Sequence, residues 1–169
     1  MPQVWLSIGS NIDRDKNIRG AVKVLQEAFG ELVLSSVYES EAVGFDGDSF
    51  YNMVIGLGTD LPIKSLNNRF REIENQHGRI RGGEKFASRT LDIDLLLYGN
   101  AVIDEGGIAI PRNEIIRYAF VLLPLAEVAG EMRHPVNGCT YQKLWDMFDQ
   151  RQQKLQRVDF DFTLAAPQS

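Results

Sequence analysis

Residues 79–99 read RIRGGEKFASRTLDIDLLLYG, and they join a cationic, glycine-containing segment to an apolar strand. Asp92 and Asp94 lie two positions apart at the start of this strand, so their side chains point to the same face of a sheet. The apolar residues between and beside them pack on the opposite face: Leu91, Ile93 and Leu95. Two carboxylates beside a cationic loop offer hard oxygen ligands to a Mg²⁺ ion that carries a polyphosphate.

An alternating edge strand with one solvated face would give the same pattern of aspartates and apolar residues. The following residues, Leu96, Leu97 and Tyr98, favour a central strand instead, because they continue as an apolar run suited to burial on both faces. A carboxylate pair at the end of a central strand needs a counter-charge or a metal ion.

The composition indicates one ordinary globular domain over residues 1–169, with 44% hydrophobic and 24% charged residues. A formal net charge of −5 disfavours a general nucleic-acid binder. It does not disfavour a local anion site, since residues 79–89 hold four basic side chains and a single acid, Glu84.

The single cysteine, Cys139, rules out an internal disulfide and indicates the reducing cytoplasm. The chain opens directly with a strand pattern, and it contains no apolar run long enough to cross a bilayer. We therefore expect no signal peptide and no membrane partner.

The hydrophobic pattern predicts a strand, helix, strand, strand, helix and strand in order, which is the ferredoxin-like βαββαβ arrangement. Its sheet would be antiparallel, with both helices on one face and an α+β class overall. We expect Asp13 or Asp15 to cap the first helix, Gly30 to end it, Pro62 to begin the second and Gly78 to end that one. The predicted core strands are 4–8, 32–40, 50–57 and 91–98, and the predicted C-terminal elaboration is a hairpin at 101–110, helices at 120–128 and 141–148, and a last strand at 156–162.

Other common site patterns are missing from the sequence. There is no GxxxxGK[ST] phosphate loop, and Gly56-Leu57-Gly58 lacks the third glycine of a dinucleotide fingerprint. One cysteine and two separated histidines, His77 and His134, make zinc binding or a Ser–His mechanism unattractive.

Two further features favour a small-molecule site. Gly82 and Gly83 would let the cationic loop swing and bring arginines to a transferring phosphoryl group, although a surface loop with solvated charges explains them as well. Phe50, Asn52 and Phe120 suit a flat heterocycle, with rings on its faces and an amide on its edge. Core packing is the alternative for both phenylalanines.

The sequence RTLDIDLLLYG at residues 89–99 resembles the signature of the 6-hydroxymethyl-7,8-dihydropterin pyrophosphokinases of folate biosynthesis. The resemblance extends over nearly the whole chain and includes several further stretches: Gly9-Ser10-Asn11, residues 38–52, Glu74 with Gly78 and Arg79, and the FVLLPL sequence at residues 120–125.

This resemblance implies that pyrophosphate passes from ATP to the hydroxymethyl oxygen of the pterin, with release of AMP. It implies two Mg²⁺ ions on Asp92 and Asp94, and small-molecule substrates alone; we expect a monomer. The pterin would lie between Phe50 and Phe120, with its remaining contacts from Asn52 and the backbone at Ser40 and Val43. The ATP side would consist of Glu74, Arg79, Arg81, Phe86, Arg89, Arg112 and Arg117, and catalysis would involve Arg79, Arg81, Lys85, Arg89, Asp92 and Asp94.

The sequence departs from the family pattern on the nucleotide side. Lys85-Phe86 stands where family members commonly have Arg-Trp, and Arg112 follows Pro111 where histidine is usual. The arginine expected two residues before the stacking phenylalanine is displaced to Arg117, three residues before Phe120. Lysine keeps the charge but loses the planar guanidinium fork.

The residues give two candidates for activation of the alcohol and one alternative function. No side chain is an obvious strong base, so either Asp94 or a metal-lowered pKa of the alcohol would serve. A paralogue that binds pterin or nucleotide but transfers poorly is the alternative function. A two-metal nuclease or nucleotidyltransferase is disfavoured by the acidic net charge and by the lack of a long basic groove.

Overall fold

The computed structural model describes residues 1–40, 49–77, 91–151 and 153–162. The elements in these ranges follow one another as β1 (Gln3–Ser10), α1 (Arg14–Phe29), β2 (Val33–Leu34), β3 (Val37–Ser40), β4 (Phe50–Gly58), α2 (Ile63–Gln76), β5 (Asp92–Tyr98), β6 (Ile103–Glu105), β7 (Ile108–Ile110), α3 (Glu114–Arg117), α4 (Ala119–Ala129), α5 (Tyr141–Met147) and β8 (Leu155–Val158). The helices within these ranges are too short or too polar to span a membrane.

The main sheet has the strand order β5-β1-β4-β3-β8, and β2 pairs with β4 beside β3. Its pairs are antiparallel, as predicted from the sequence. The β6–β7 hairpin forms a second, two-stranded sheet.

The single strand predicted over 32–40 is wrong, because the chain forms two short strands, β2 and β3. Ser35 lies between them, and its Oγ accepts a hydrogen bond from the Val54 N–H at 2.9 Å. The Ser35 N–H in turn donates to the Val54 carbonyl at 3.0 Å. The serine hydroxyl thus accepts the Val54 N–H in place of a backbone carbonyl of a continuous strand.

Both faces of the sheet are covered by helices. On one face α1 and α2 contribute Leu25 and Phe70 to a cluster that contains Ile8 and Ile55 of the sheet. On the other face the helices α4 and α5 pack in a cluster around Trp5 of β1. The first two helices therefore share a face, as the sequence predicted, and the C-terminal elaboration covers the opposite one.

β5 lies at the edge of the sheet, so the expectation of a central strand is wrong. Within the described ranges its strand partner in this sheet is β1. Its apolar residues are nevertheless buried on both sides, since Leu95 belongs to the α1–α2 cluster and Leu96 and Leu97 to the α4–α5 cluster. Helices on both faces produce the same sequence pattern as a central position.

The predicted helix boundaries are partly correct. Asp13 holds the N-cap position of α1, but its side chain makes no capping hydrogen bond. The Nδ2 of Asn17 donates to the Ile12 carbonyl at 2.7 Å and stabilises this turn instead. Gly30 ends α1 at φ 82°, and α2 begins directly after Pro62. Gly78, predicted to end α2, lies outside the described residues.

The C-terminal elaboration is close to its predicted form. The structure contains the predicted hairpin, α4, α5 and a last strand, but that strand ends at Val158 rather than at residue 162. The short helix α3, which the sequence analysis missed, precedes α4 directly and leads the chain from the β6–β7 hairpin back to the sheet.

Candidate active site

The carboxylate pair begins β5 and faces the α4–α5 side of the sheet. Asp92 and Asp94 are half-buried, whereas Ile93 between them is fully buried on the opposite face. Gly9 of β1 is the register partner of Asp92, and Ser7 is that of Asp94. The alternation predicted from the sequence is confirmed.

The electrostatics of this pair suit a bound cation. Burial, followed by the negative charge of Asp92, raises the pKa of Asp94 to about 6. The positive charges of Arg112 and Arg71 oppose this rise but do not cancel it. A divalent ion would therefore find two oxygen ligands whose mutual repulsion it relieves.

The rest of a metal's coordination shell would come from other sources. Among the described residues there is no cluster of three acidic, histidine or cysteine side chains. Mg²⁺ commonly binds through one or two carboxylates and fills its remaining positions with water and substrate phosphates. The residues present fit such an ion.

A β-bulge in β5 places Arg112 next to Asp94. The register changes between Trp5 and Leu6, which leaves Leu96 as an extra residue in β5. The Leu96 carbonyl accepts the backbone N–H of Arg112 at 3.0 Å. The Arg112 guanidinium then binds Glu114 at 2.6 Å and lies 3.8 Å from Asp94.

Arg71 and Glu74 of α2 bind the edge of β5 that faces away from β1, between the two aspartates. The buried Glu74 carboxylate accepts the Ile93 N–H at 2.7 Å and contacts Arg71 at 2.5 Å. Arg71 also donates to the Ile93 carbonyl at 3.2 Å. The backbone that carries Asp92 and Asp94 is thus fixed from outside the sheet.

A cavity of about 240 Å³ lies between α2 and the β6–β7 hairpin, and its lining includes Leu95, the residue that follows Asp94 in β5. Its polar side chains are Arg71, Arg112, Asn67 and Asn68, and residues 107–110 of the hairpin form the opposite wall. Two arginines and two amides at one cavity suit an anionic ligand with hydrogen-bonding groups.

A second group of predicted residues lies on the same face of the sheet. Asn52 of β4 pairs with Gly9 of β1, which pairs with Asp92 of β5. A Cβ at Gly9 would lie 2.9 Å from the Asn52 Oδ1 and 3.6 Å from the Phe50 Cδ1. Glycine at this position therefore makes room for both side chains. The Asn52 Nδ2 donates to the Ser40 Oγ at 2.7 Å.

Phe120 lies in the first turn of α4, which covers this same face of the sheet. Its ring stacks on that of Tyr118, with centroids 5.0 Å apart and planes inclined by 19°. The Arg117 guanidinium carbon lies 5.7 Å from the Tyr118 ring centre. Tyr118 was not predicted as a site residue, although it is an aromatic residue two positions before Phe120.

The remaining predicted site residues lie outside the described residues. These are Val43 on the pterin side and the loop residues Arg79, Arg81, Lys85, Phe86 and Arg89. Arg71 was not predicted, although its spacing of three residues from Glu74 on one helix is a recognisable ion-pair pattern.

Residues 5–130 match the model of the family described as 7,8-dihydro-6-hydroxymethylpterin-pyrophosphokinase (HPPK). The chain is 31% identical over 139 residues to the 2-amino-4-hydroxy-6-hydroxymethyldihydropteridine pyrophosphokinase of Haemophilus influenzae, which covers 80% of this chain and 86% of that protein. It is 33% identical over 138 residues to the "Folic acid synthesis protein fol1" of Pneumocystis carinii, over 80% of this chain but 18% of that longer protein.

The fold is also similar to solved structures. The wild-type HPPK-DHPS of Plasmodium falciparum with pteroate superposes with a TM-score of 0.69 at 14% sequence identity, over 86% of this chain and 42% of that one. At this identity the similarity concerns the fold alone. The chain thus spans less than half of that Plasmodium chain.

Proposed function

The chain belongs to the 7,8-dihydro-6-hydroxymethylpterin-pyrophosphokinase family, and we propose that Asp92 and Asp94 are where it holds its nucleotide for transfer. Its activity is that of a pyrophosphokinase of folate biosynthesis, which transfers pyrophosphate from ATP to 6-hydroxymethyl-7,8-dihydropterin and releases AMP. The observation that carries the residue assignment is the row Asn52–Gly9–Asp92 across three paired strands. It brings the amide proposed to bind the heterocycle and a carboxylate proposed to bind the metal to one face of the sheet.

Asp92 and Asp94 are proposed to hold two Mg²⁺ ions together with the ATP phosphates. The bound ions would neutralise the charge that spreads over the transferring group and lower the pKa of the attacking alcohol. Arg112 remains beside Asp94 as a protein cation, 3.8 Å away. Its position supports a contact between the Arg112 guanidinium and the ATP phosphates when the Asp94 carboxylate is bound to a metal ion.

The cavity between α2 and the β6–β7 hairpin is the proposed position of the rest of the nucleotide, because Arg112 lines it and lies 3.8 Å from Asp94. Arg71 and Arg112 line it, and Asn67 and Asn68 supply amide groups. Glu74 would act on the ATP side by holding β5 in place, since its carboxylate binds the Ile93 N–H. Arg117 is proposed to contact ATP at the end of α3, where its charge is exposed.

The pterin is proposed to lie between Phe50 and Phe120, with its edge bonded by Asn52. Aromatic faces suit a flat heterocycle, and an amide pairs with its alternating donors and acceptors. The Asn52 amide is already oriented by its hydrogen bond to the Ser40 Oγ. Ser40 and Val43 complete the proposed pocket.

Phe120→Ala should weaken pterin binding by about 1–3 kcal/mol, since it removes the burial and stacking of one ring. Mg-ATP binding should change little, because Phe120 is not among the residues that line the proposed nucleotide cavity. Isothermal titration of each ligand separately measures both effects. The reverse pattern, with ATP weakened and pterin unaffected, would mean that the pterin pocket is misplaced.

The cationic loop is proposed to supply Arg79, Arg81, Lys85 and Arg89 to the phosphates and Phe86 as a cover for the nucleotide. These residues lie outside the described ranges, so their assignment rests on the sequence resemblance. The loop should act mainly on the chemical step, because contacts that form on closure stabilise the transition state more than the ground state.

Lys85→Ala should therefore lower the single-turnover rate while Mg-ATP affinity stays within about threefold. Lys85→Arg should be tolerated, because it restores the residue type common in the family. Rapid-quench measurements of AMP formation test the rate, and equilibrium titration tests the affinity. An unchanged rate in Lys85→Ala would remove this loop position from catalysis.

The function as a whole is tested by AMP release from ATP with and without the hydroxymethyl pterin. Release that depends on the pterin is the expected result, whereas binding without AMP release would indicate a paralogue that has lost transfer.

We also propose a ferredoxin-like core, supported by the connectivity β1-α1-β3-β4-α2-β5. A monomeric state and a cytoplasmic location are proposals as well, and the single cysteine supports the second.

A further inference from the structure

The first turn of α4 is fixed by a side chain from a distant part of the chain. The Gln153 Oε1 accepts the backbone N–H of Ala119 at 2.8 Å. The Gln153 Nε2 donates to the backbone carbonyl of Arg117 at 2.9 Å. These two hydrogen bonds hold the peptide groups on either side of Tyr118.

This helix start needs such a contact. The first N–H groups of a helix have no acceptor within the helix and usually bind the side chain of the N-cap residue. Tyr118 is the N-cap of α4, and its side chain makes no capping bond. Ala119 is fully buried, so its N–H requires a protein acceptor. A side-chain amide can satisfy both an N–H and a carbonyl.

The fixed backbone determines where two aromatic rings lie. Tyr118 and Phe120 flank Ala119, and their rings stack at 5.0 Å. The Phe120 ring therefore has one face against Tyr118, and its orientation depends on both the ring stack and the helix start. Loss of either support would let the ring move away from the position in which it meets a ligand.

The same segment of chain also reaches the opposite side of the proposed pterin pocket. Two residues after Gln153, Leu155 begins β8 and pairs with Ser40 of β3. Ser40 holds the Asn52 amide through its hydroxyl. Residues 153–155 thus connect the backbone that presents Phe120 with the strand that orients Asn52. They lie beyond residues 5–130, which the family model matches.

We propose that Gln153 and Tyr118 are positioning residues for the pterin, so that a segment beyond the family-wide region sets the geometry of the heterocycle pocket. The inference rests on the proposed function, because it takes Phe120 as a pterin contact. Gln153 acts through the α4 backbone, and Tyr118 acts through the Phe120 ring.

The test compares Gln153→Ala with Gln150→Ala, the same change at an exposed glutamine three residues earlier. We expect the Kd for 6-hydroxymethylpterin, titrated in the presence of a non-hydrolysable Mg-ATP analogue, to rise roughly fivefold in Gln153→Ala, because ligand binding must then reorder the start of α4 at a cost of about one hydrogen bond. The Kd for the Mg-ATP analogue alone should stay within about twofold, and Gln150→Ala should match the wild type in both titrations.

Tyr118 provides a second, independent pair of variants. Tyr118→Leu should raise the pterin Kd by a similar factor, because it removes the stacked ring, and Tyr118→Phe should retain tight binding, because it keeps that ring. Equal losses in Tyr118→Phe and Tyr118→Leu would overturn the stacking role. An unchanged pterin Kd in Gln153→Ala, or an equal loss for pterin and nucleotide, would overturn the positioning role of Gln153.

The same titrations separate this inference from the proposed function. If the wild-type protein fails to bind pterin, the proposed function is wrong. If Phe120→Ala weakens pterin binding while Gln153→Ala and Tyr118→Leu do not, the proposed function survives and the positioning inference alone is wrong.

Discussion

Asp94→Asn should lower turnover by about three orders of magnitude, and Asp92→Asn should do the same. Each change removes a charged oxygen ligand from the proposed metal site, and metal ions stabilise transition-state charge by several kcal/mol. At about 1.4 kcal/mol for each factor of ten, a loss of about 4 kcal/mol gives this decrease. The measurement is AMP formation at saturating ATP, pterin and Mg²⁺, with Asp104→Asn on the exposed β6 strand as the matched control.

Asp94→Asn should also separate activity from stability. The pKa of Asp94 is raised from its ordinary value of 3.8 to about 6, chiefly by burial. The folded state thus binds this proton more tightly than the unfolded state does, and stability falls as the pH rises through about 4 to 6. Asparagine carries no charge, so burial of its side chain does not incur the cost of burying an ionised carboxylate.

In metal-free buffer at pH 7, Asp94→Asn should therefore unfold at a higher temperature than the wild type does. Thermal unfolding followed by circular dichroism, with a chelator and then with Mg-ATP, measures this difference. Mg-ATP should raise the unfolding temperature of the wild type more than that of the variant. Near-normal turnover in either aspartate variant would show that Asp92 and Asp94 are not the metal ligands, whatever the stability of that variant.

Glu74→Ala should lower the free energy of unfolding by about 2–4 kcal/mol. The Glu74 side chain is fully buried and accepts the Ile93 N–H, so its loss leaves a buried donor without this acceptor. Breaking a buried ion pair costs about 3–5 kcal/mol, but Arg71 is about a third exposed and can be rehydrated, which reduces the cost here. Urea unfolding at constant pH measures the difference.

Two variants sharpen this prediction. Glu74→Gln should lose less stability than Glu74→Ala, because its amide oxygen still accepts the Ile93 N–H. Glu72→Ala lies on the same helix, removes an exposed carboxylate paired with Arg69, and should change stability little. A Glu74→Ala protein of wild-type stability with a weakened affinity for ATP would instead make Glu74 a direct nucleotide contact.

The shared face of the two aspartates could be predicted from the sequence because it depends only on their spacing within one strand. A two-residue spacing determines the face of a strand wherever that strand lies, so Asp92 and Asp94 shared a face in the structure as predicted. The position of β5 in the sheet could not be predicted in this way, because it depends on which other strands pair with it. Leu95 to Leu97 are covered by helices on both faces, and an apolar run cannot distinguish this burial from the environment of a central strand.

Two of the missed residues, Arg71 and Gln153, act across long stretches of sequence. Arg71 binds a carbonyl 22 residues away, and Gln153 binds an N–H 34 residues away. Hydrophobic periodicity does not encode such polar contacts, since arginine and glutamine are both common surface residue types. The break at Ser35 was missed for a related reason. Its hydroxyl oxygen replaces a backbone carbonyl as the acceptor of the Val54 N–H, which the apolar pattern of 32–40 does not reveal.

The short strand β8 has a consequence for how the protein behaves at high concentration. It has four residues, of which Gln156 and Arg157 are exposed, and it covers the hydrogen-bonding edge of β3. Short, charged outer strands resist the addition of a strand from another molecule, whereas a longer uncovered one invites aggregation. A chain shortened to the end of the family match at residue 130 would uncover β3, and with it the strand that carries Ser40. We therefore expect β8 to protect the edge of β3 against self-association.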